Sequence, residues 1–411
     1  MARLLFTIVC VCVFCSTSLG QQFARTPDRK NATNSNFNSN VVQIKWKVRT
    51  EGKIFASPIV ADGILYIGSC DGNMYALDKD TGALLWKYRT DGEVRSSVAV
   101  DSGAVYFLSG DGNFYALDAK KGNLKWKYAT EGEQVYDLWD YFQSSPAIKD
   151  GTVFFGSGDH HVYALNALDG SLRWRYKTGG IVHASPALSD GAVLIGSFDG
   201  YFYCFEEDGS MRWKFDTIGQ FYFPKGEVQF NAAVSDGTVY FGARDFNLYA
   251  LNIKNGSGHW VYHQQGSWVS IPSVAQDRLI ASMSDSYTVL VLDRPNGDIL
   301  HTPRVPLNVF SSASVSDSSA YFGAIDGVLY HLALPTGTVV PIFQTPSSSR
   351  YRTDFFDSKG VLRDDLLSLY NNDFMEVFRA YYKMGSIFST VWVDRENLYL
   401  GSTDGFIYAL E

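Results

Sequence analysis

The chain has 411 residues, of which 46% are hydrophobic, 15% aromatic and 19% charged, with 35 Lys and Arg against 43 Asp and Glu for a formal net charge of −8. Such a composition can build a sizeable core and excludes a disordered chain. The acidic balance and the lack of a Lys/Arg run argue against nucleic acid as a partner.

Residues 1–20 have the parts of a secretory signal: Arg3, an apolar run from Leu4 to Phe14, and the small residues Ser18 and Gly20 before Gln21. The expectation is a cleaved signal and an exported chain, periplasmic or extracellular, with no transmembrane segment in the mature form. Cys15 follows Phe14 and not a small residue, which disfavours lipidation. Cys10, Cys12 and Cys15 leave with the signal. Cys70 and Cys204 stand at non-equivalent repeat positions and are expected unpaired. No Cys/His spacing suggests a metal site. Residues 21–40 are polar, with five Asn, and predict a flexible leader.

From Val41 onward a unit of about 40 residues recurs eight times, each copy carrying a turn aspartate: Asp71, Asp111, Asp159, Asp199, Asp245, Asp285, Asp326 and Asp404. In the first copy, strands are predicted around Ser57 to Val60, at Ile64 to Ser69, at Asn73 to Asp78 and at Leu84 to Thr90. The turns Asp62-Gly63, Asp71-Gly72 and Thr81-Gly82 separate them. Four short antiparallel strands at this period predict an all-β, eight-bladed β-propeller of residues 41–411. The fourth strand carries Trp46, Trp86, Trp126, Trp174, Trp213 and Trp260, with His301 and Pro341 in units six and seven. Trp46 precedes the first full unit, and the last unit ends without such a strand. The N-terminal strand is therefore expected to complete the C-terminal blade and close the ring. The turn aspartates are read as hairpin residues and not as calcium ligands, because they spread around a ring.

Spacing from the Trp position to the next turn aspartate is mostly uniform, as from Trp46 to Asp71. It is longer from Trp126 to Asp159, from Trp213 to Asp245 and from Pro341 to Asp404. All three insertions fall in the connection between blades and so decorate one face of the disc. Tyr136, Trp139, Tyr141, Phe221, Tyr222 and Phe223 are candidate partner-binding residues there. Residues 346–388 form the third insertion, between blades seven and eight and partly helical, with Asp373 and Glu376 resembling a capping box. A second candidate site is the channel rim, where one variable position per blade reads Phe55, Arg95, Gln143, His183, Gln229, Ser270, Phe310 and Phe388. It has a polar arc and an aromatic arc. No nucleophile or paired carboxylates accompany His183, so no catalytic residue is assigned. Asn31 and Asn255 match the glycosylation pattern.

The run Ala76 to Trp86, echoed at Ala116 to Trp126 and Ala164 to Trp174, resembles the tryptophan-docking motif of the PQQ-like β-propeller superfamily, over nearly all of residues 41–411. That superfamily includes quinoprotein alcohol dehydrogenases and the propeller lipoprotein of the outer-membrane β-barrel assembly machinery. The second branch implies a non-catalytic scaffold that binds a protein or peptide partner and needs no cofactor; the lipid-bearing Cys of that branch is absent. The first implies pyrroloquinoline quinone with calcium and oxidation of alcohols or sugars at the channel mouth, where Arg95 would face a quinone carboxylate. The adjacent Cys pair common in those enzymes is missing here. The reading favours the scaffold over the enzyme and leaves oligomeric state open.

Overall fold

A computed structural model describes residues 21–33, 37 and 42–411; the expected signal at residues 1–20 lies outside them. Eight antiparallel blades of four strands each form a propeller, the sheet of blade 2 gaining a fifth strand from Gln21–Gln22. In blade 1 the strands are Ile59–Ala61, Ile64–Gly68, Asn73–Asp78 and Leu84–Arg89, counted outward from the axis. The expected boundaries hold to within two residues. The third strand of each blade is buried along nearly its whole length, whereas the outer strand alternates with solvent. Blades stack face to face, so their middle strands need apolar residues on both sides.

Blade 8 is built from Trp392–Val393, Leu398–Gly401, Phe406–Leu410 and the N-terminal strand Ile44–Arg49. Ile44 pairs with Leu410 and Arg49 with Phe406, which closes the ring as the sequence implies. All six tryptophans donate their indole N–H to a main-chain carbonyl of the next blade, at 2.8–3.1 Å. A turn glycine of that blade lies flat against each ring; a Cβ on Gly82 would sit 2.7 Å from Trp46. A buried indole needs both the packing surface and the acceptor. The turn aspartates serve their own hairpins: Asp71 accepts from the Asn73 N–H at 2.9 Å and the Tyr75 hydroxyl at 2.6 Å. Six other blades repeat the tyrosine bond. In blade 6, Val289 replaces the tyrosine and Asp285 turns to the Ser284 hydroxyl.

The third insertion folds as α1 (Pro346–Phe355), α2 (Leu366–Leu369) and α3 (Phe374–Tyr381). Asp373 caps α3 by accepting from the Met375 and Glu376 N–H groups. The reciprocal arm of a capping box is not made, since the Asp373 N–H goes to the Tyr370 carbonyl. Val377, Phe378 and Tyr381 are buried, but Phe374 and Leu369 face solvent. None of the described helices is long and apolar enough to cross a membrane.

The expectation of a flexible leader fails over residues 21–33, which cross the channel floor. Gln21 and Gln22 pair with Val100 and Ala99 of blade 2. The carbonyls of Pro27, Asp28, Lys30 and Asn31 then accept from the Leu188, Val234, Val274 and Val315 N–H groups of blades 4 to 7, at 2.7–3.1 Å. Polar composition misleads here because the partners are main-chain groups of the innermost strands, which any sequence can meet. Asn31 is buried with its amide bonded to the Ala313 carbonyl at 2.5 Å, so that glycosylation position is closed in the folded chain; Asn255 is exposed.

Candidate binding face and the closed channel

Along the propeller axis, the variable residue of each innermost segment projects toward the insertion face. Phe55, Gln143, His183, Gln229, Ser270, Phe310 and Phe388 are all buried, and Arg95 is half-buried. The structure does bring these residues together, but under a cover. Phe55, Phe310 and Phe388 form one aromatic cluster, with Phe388 5.0 Å from Phe55 and 5.5 Å from Phe310. Tyr141 of the first insertion stacks on Phe55 at 5.8 Å and lies 6.2 Å from Phe378 of α3. The channel mouth is therefore stoppered by rings from two insertions. Tyr141, expected at an exposed partner face, is 6% exposed and belongs to the stopper; the aromatic arc beneath it supplies the apolar seat.

The polar arc holds the first insertion in place. His183 Nδ1 lies 2.8 Å from Asp140, and its Nε2 lies 3.1 Å from Glu133. Burial alone would push the imidazole pKa down, but the two carboxylates outweigh it and raise it to about 9. Arg95 donates to the Asp140 carbonyl at 2.7 Å, and the Gln229 amide donates to the Trp139 carbonyl at 2.8 Å. Gln143 accepts from the Arg95 main-chain N–H at 2.9 Å.

Arg244 was not among the sequence candidates. It is 1% exposed, forks onto Asp137 and Gln229, and lies under Trp268 at 4.5 Å and Phe198 at 4.9 Å. A cation among aromatic faces with one carboxylate is held firmly. The position just before the turn aspartate varies around the ring, from Cys70 and Gly110 to Phe198 and Arg244. That second variable position was the available signal.

Outside the stopper, the same face presents apolar side chains to solvent: Leu138 at 55%, Phe221 at 88%, Tyr222 at 75% and Phe374 at 56% exposure. Half-buried Trp139 links Phe374, 6.2 Å away, to Trp268 at 6.1 Å, and Phe223 reaches Trp268 at 5.0 Å. Tyr136 is partly exposed, its hydroxyl donating to Glu227 at 2.9 Å. These side chains, mostly aromatic, come from all three insertions.

Beneath the stopper lies a chamber of about 20 Å³, walled by Phe23, Arg95, Phe142, Gln143, His183 and serine side chains among others. That is room for about one water. A tricyclic quinone carrying three carboxylates does not fit there, and Arg95, the side chain that would meet a carboxylate, already spends Nη1 on the Asp140 carbonyl. Among the described residues, no three His, Cys, Asp or Glu side chains are grouped to hold a metal ion. Cys70 and Cys204 are both free.

The sequence matches the family model of the β-propeller of the β-alanine-activating enzyme over residues 36–334. None of the curated proteins matches the chain. Among solved structures, BamB from Moraxella catarrhalis is similar at a TM-score of 0.67 and 17% identity, covering 90% of this chain and 100% of that one. The quinohemoprotein alcohol dehydrogenase from Comamonas testosteroni gives 0.71 and 12%, covering 96% of this chain and 81% of that one. A computationally designed protein, Ika8, gives 0.65 and 17%, covering 88% and 96%. At these identities the likeness is one of fold, shared by an enzyme, a protein that carries another name and a design alike.

Proposed function

The chain belongs to the β-propeller family of the β-alanine-activating enzyme, and on that premise we propose that it is an exported, non-catalytic scaffold that binds a protein or peptide through the insertion face. The observation that carries this reading is the set of large apolar side chains that the three insertions expose, Leu138, Phe221, Tyr222 and Phe374, whose exposure of 55–88% has no role in the propeller's own packing. Large exposed aromatics on a rigid rim suit anchoring into a partner's pockets. Export rests on the signal-like residues 1–20. The quinone-dependent alternative has less support, because the space beneath the stopper is too small.

The test is cross-linking of the exported protein in its native compartment, comparing the wild type with a Leu138→Asp/Phe221→Asp/Phe374→Asp variant of unchanged melting temperature. Loss of the cross-linked species in the variant is expected. An identical set of partners from both proteins would overturn the face assignment.

A further inference from the structure

The opposite end of the channel is a second recognition surface. Each blade's innermost strand is the edge that the blade leaves unpaired, with its N–H groups facing the axis. Residues 21–33 meet those groups on blade after blade, almost entirely through main-chain carbonyls. Among its side chains, Arg29 makes the most hydrogen bonds. Arg29 is fully buried, and its guanidinium donates to the carbonyls of Pro186 at 2.9 Å, Phe23 at 2.6 Å, Ser145 at 2.9 Å and Pro146 at 3.0 Å. Among the described residues, no carboxylate pairs with it. A planar fork that finds carbonyls from two blades and from the segment itself is selective for arginine over lysine.

The segment is also held in a shape it would not keep alone. Ala24, Arg25, Arg29 and Asn31 all have φ between +55° and +71°. Left-handed backbone at three residues other than Gly or Asn is disfavoured in a free chain and persists where the surroundings impose it. Arg25 adds a further contact, lying 4.2 Å over the Trp392 ring and donating to the Val393 carbonyl of blade 8.

We propose that the channel floor is a peptide-binding site, selective for a segment that places an arginine in the cage of carbonyls from Pro186, Ser145 and Pro146, and that residues 21–33 are its ligand supplied in cis. The mode is strand-edge recognition: main-chain hydrogen bonds supply affinity and the carbonyl cage around the guanidinium supplies specificity. Side chains such as Thr26 and Lys30, which bond only within the segment, contribute little to the recognition. The site is on the face away from the insertions and does not depend on the function proposed above.

The test is made on the full chain with a specific protease site replacing residues 34–36, folded and then cut. A fluorescein-labelled peptide of residues 21–33, added in excess, is followed by anisotropy. One-to-one uptake is expected, with Arg29→Lys and Arg29→Ala peptides at least tenfold weaker and a Lys30→Ala peptide within about threefold of the parent. Equal uptake of the Arg29→Ala peptide would overturn the arginine-selective site. Should the cut piece stay bound and block exchange, the uncut full chain carrying Arg29→Ala is titrated with the parent peptide. Uptake there supports the site, and absence of uptake by that chain, with its sheet signature in circular dichroism intact, overturns it.

Discussion

His183 presents Nδ1 to the Asp140 carboxylate at 2.8 Å from both oxygens, inside the channel and out of reach of solvent. With Glu133 on the other ring nitrogen, the imidazole holds one positive charge between two buried acids of the first insertion. Replacing His183 with Ala leaves both carboxylates unpaired and is expected to cost about 3–5 kcal/mol. Urea titration measures it, and limited proteolysis within residues 131–142 should quicken in parallel.

The same histidine sets a pH dependence. Its pKa is about 9 in the folded chain against about 6.5 when unfolded. The stability it contributes is complete below the unfolded value and is lost as pH rises through the folded one. Melting temperature should therefore fall between about pH 6.5 and pH 9 in the wild type. His183→Ala should flatten that slope; an equally steep profile in the variant would assign the dependence to other groups.

Two glycines separate backbone strain from packing. Gly63 has φ +81° with nothing near a Cβ, whereas Gly82 has φ +72° and a Cβ there would meet the Trp46 ring. Gly63→Ala should cost about 1–2 kcal/mol through the left-handed backbone alone. Gly82→Ala should add about 1–3 kcal/mol of overpacking at the blade that closes the ring. Chemical denaturation of the pair reads the difference.

Blade 6 offers a gain. His301 occupies the tryptophan position with Gly337 already laid against it, as Gly82 lies against Trp46. His301→Trp restores the surface that the other six junctions bury, with the Leu334 carbonyl at the acceptor position. A rise of about 0.5–2 kcal/mol is expected, the range of repeat-consensus substitutions, visible as a higher melting temperature.

The stopper and the patch are separable by mutation. Tyr141→Ala removes a buried ring packed on Phe55, Phe310 and Phe388 and should cost about 3–5 kcal/mol. Phe221→Ser, at 88% exposure, should stay within about 0.5 kcal/mol of the wild type. Comparable losses at both sites would mean that Phe221 is part of the fold and not free for a partner.

The repeat made the propeller legible because each signal it carries has one local cause: alternating strands, glycine turns, a tryptophan needing a neighbour. The closing role of Ile44–Arg49 followed from an unpaired strand at each end. The rim ring was legible as a position, since variation within a constant repeat marks side chains freed from blade packing. Its burial was not, because what covers it comes from insertions that lack the repeat. Arg29 and Arg244 were missed for related reasons. One stands in a polar stretch whose partners are main-chain carbonyls, and the other needs Trp268 and Phe198, brought beside it only by the closed ring.

Joining the first strand to the last blade fixes an order of events during synthesis. Ile44–Arg49 has no edge to pair with until Phe406–Leu410 has left the ribosome, and residues 21–33 have no complete floor until blades 2 to 8 exist. Both segments are thus made well before their partners, and Ile44–Arg49 meets its own at a sequence separation of more than 350 residues. Contacts that distant are slow to form, and until they do the growing chain exposes the unpaired edge of its final sheet, the state most open to capture by chaperones or to aggregation.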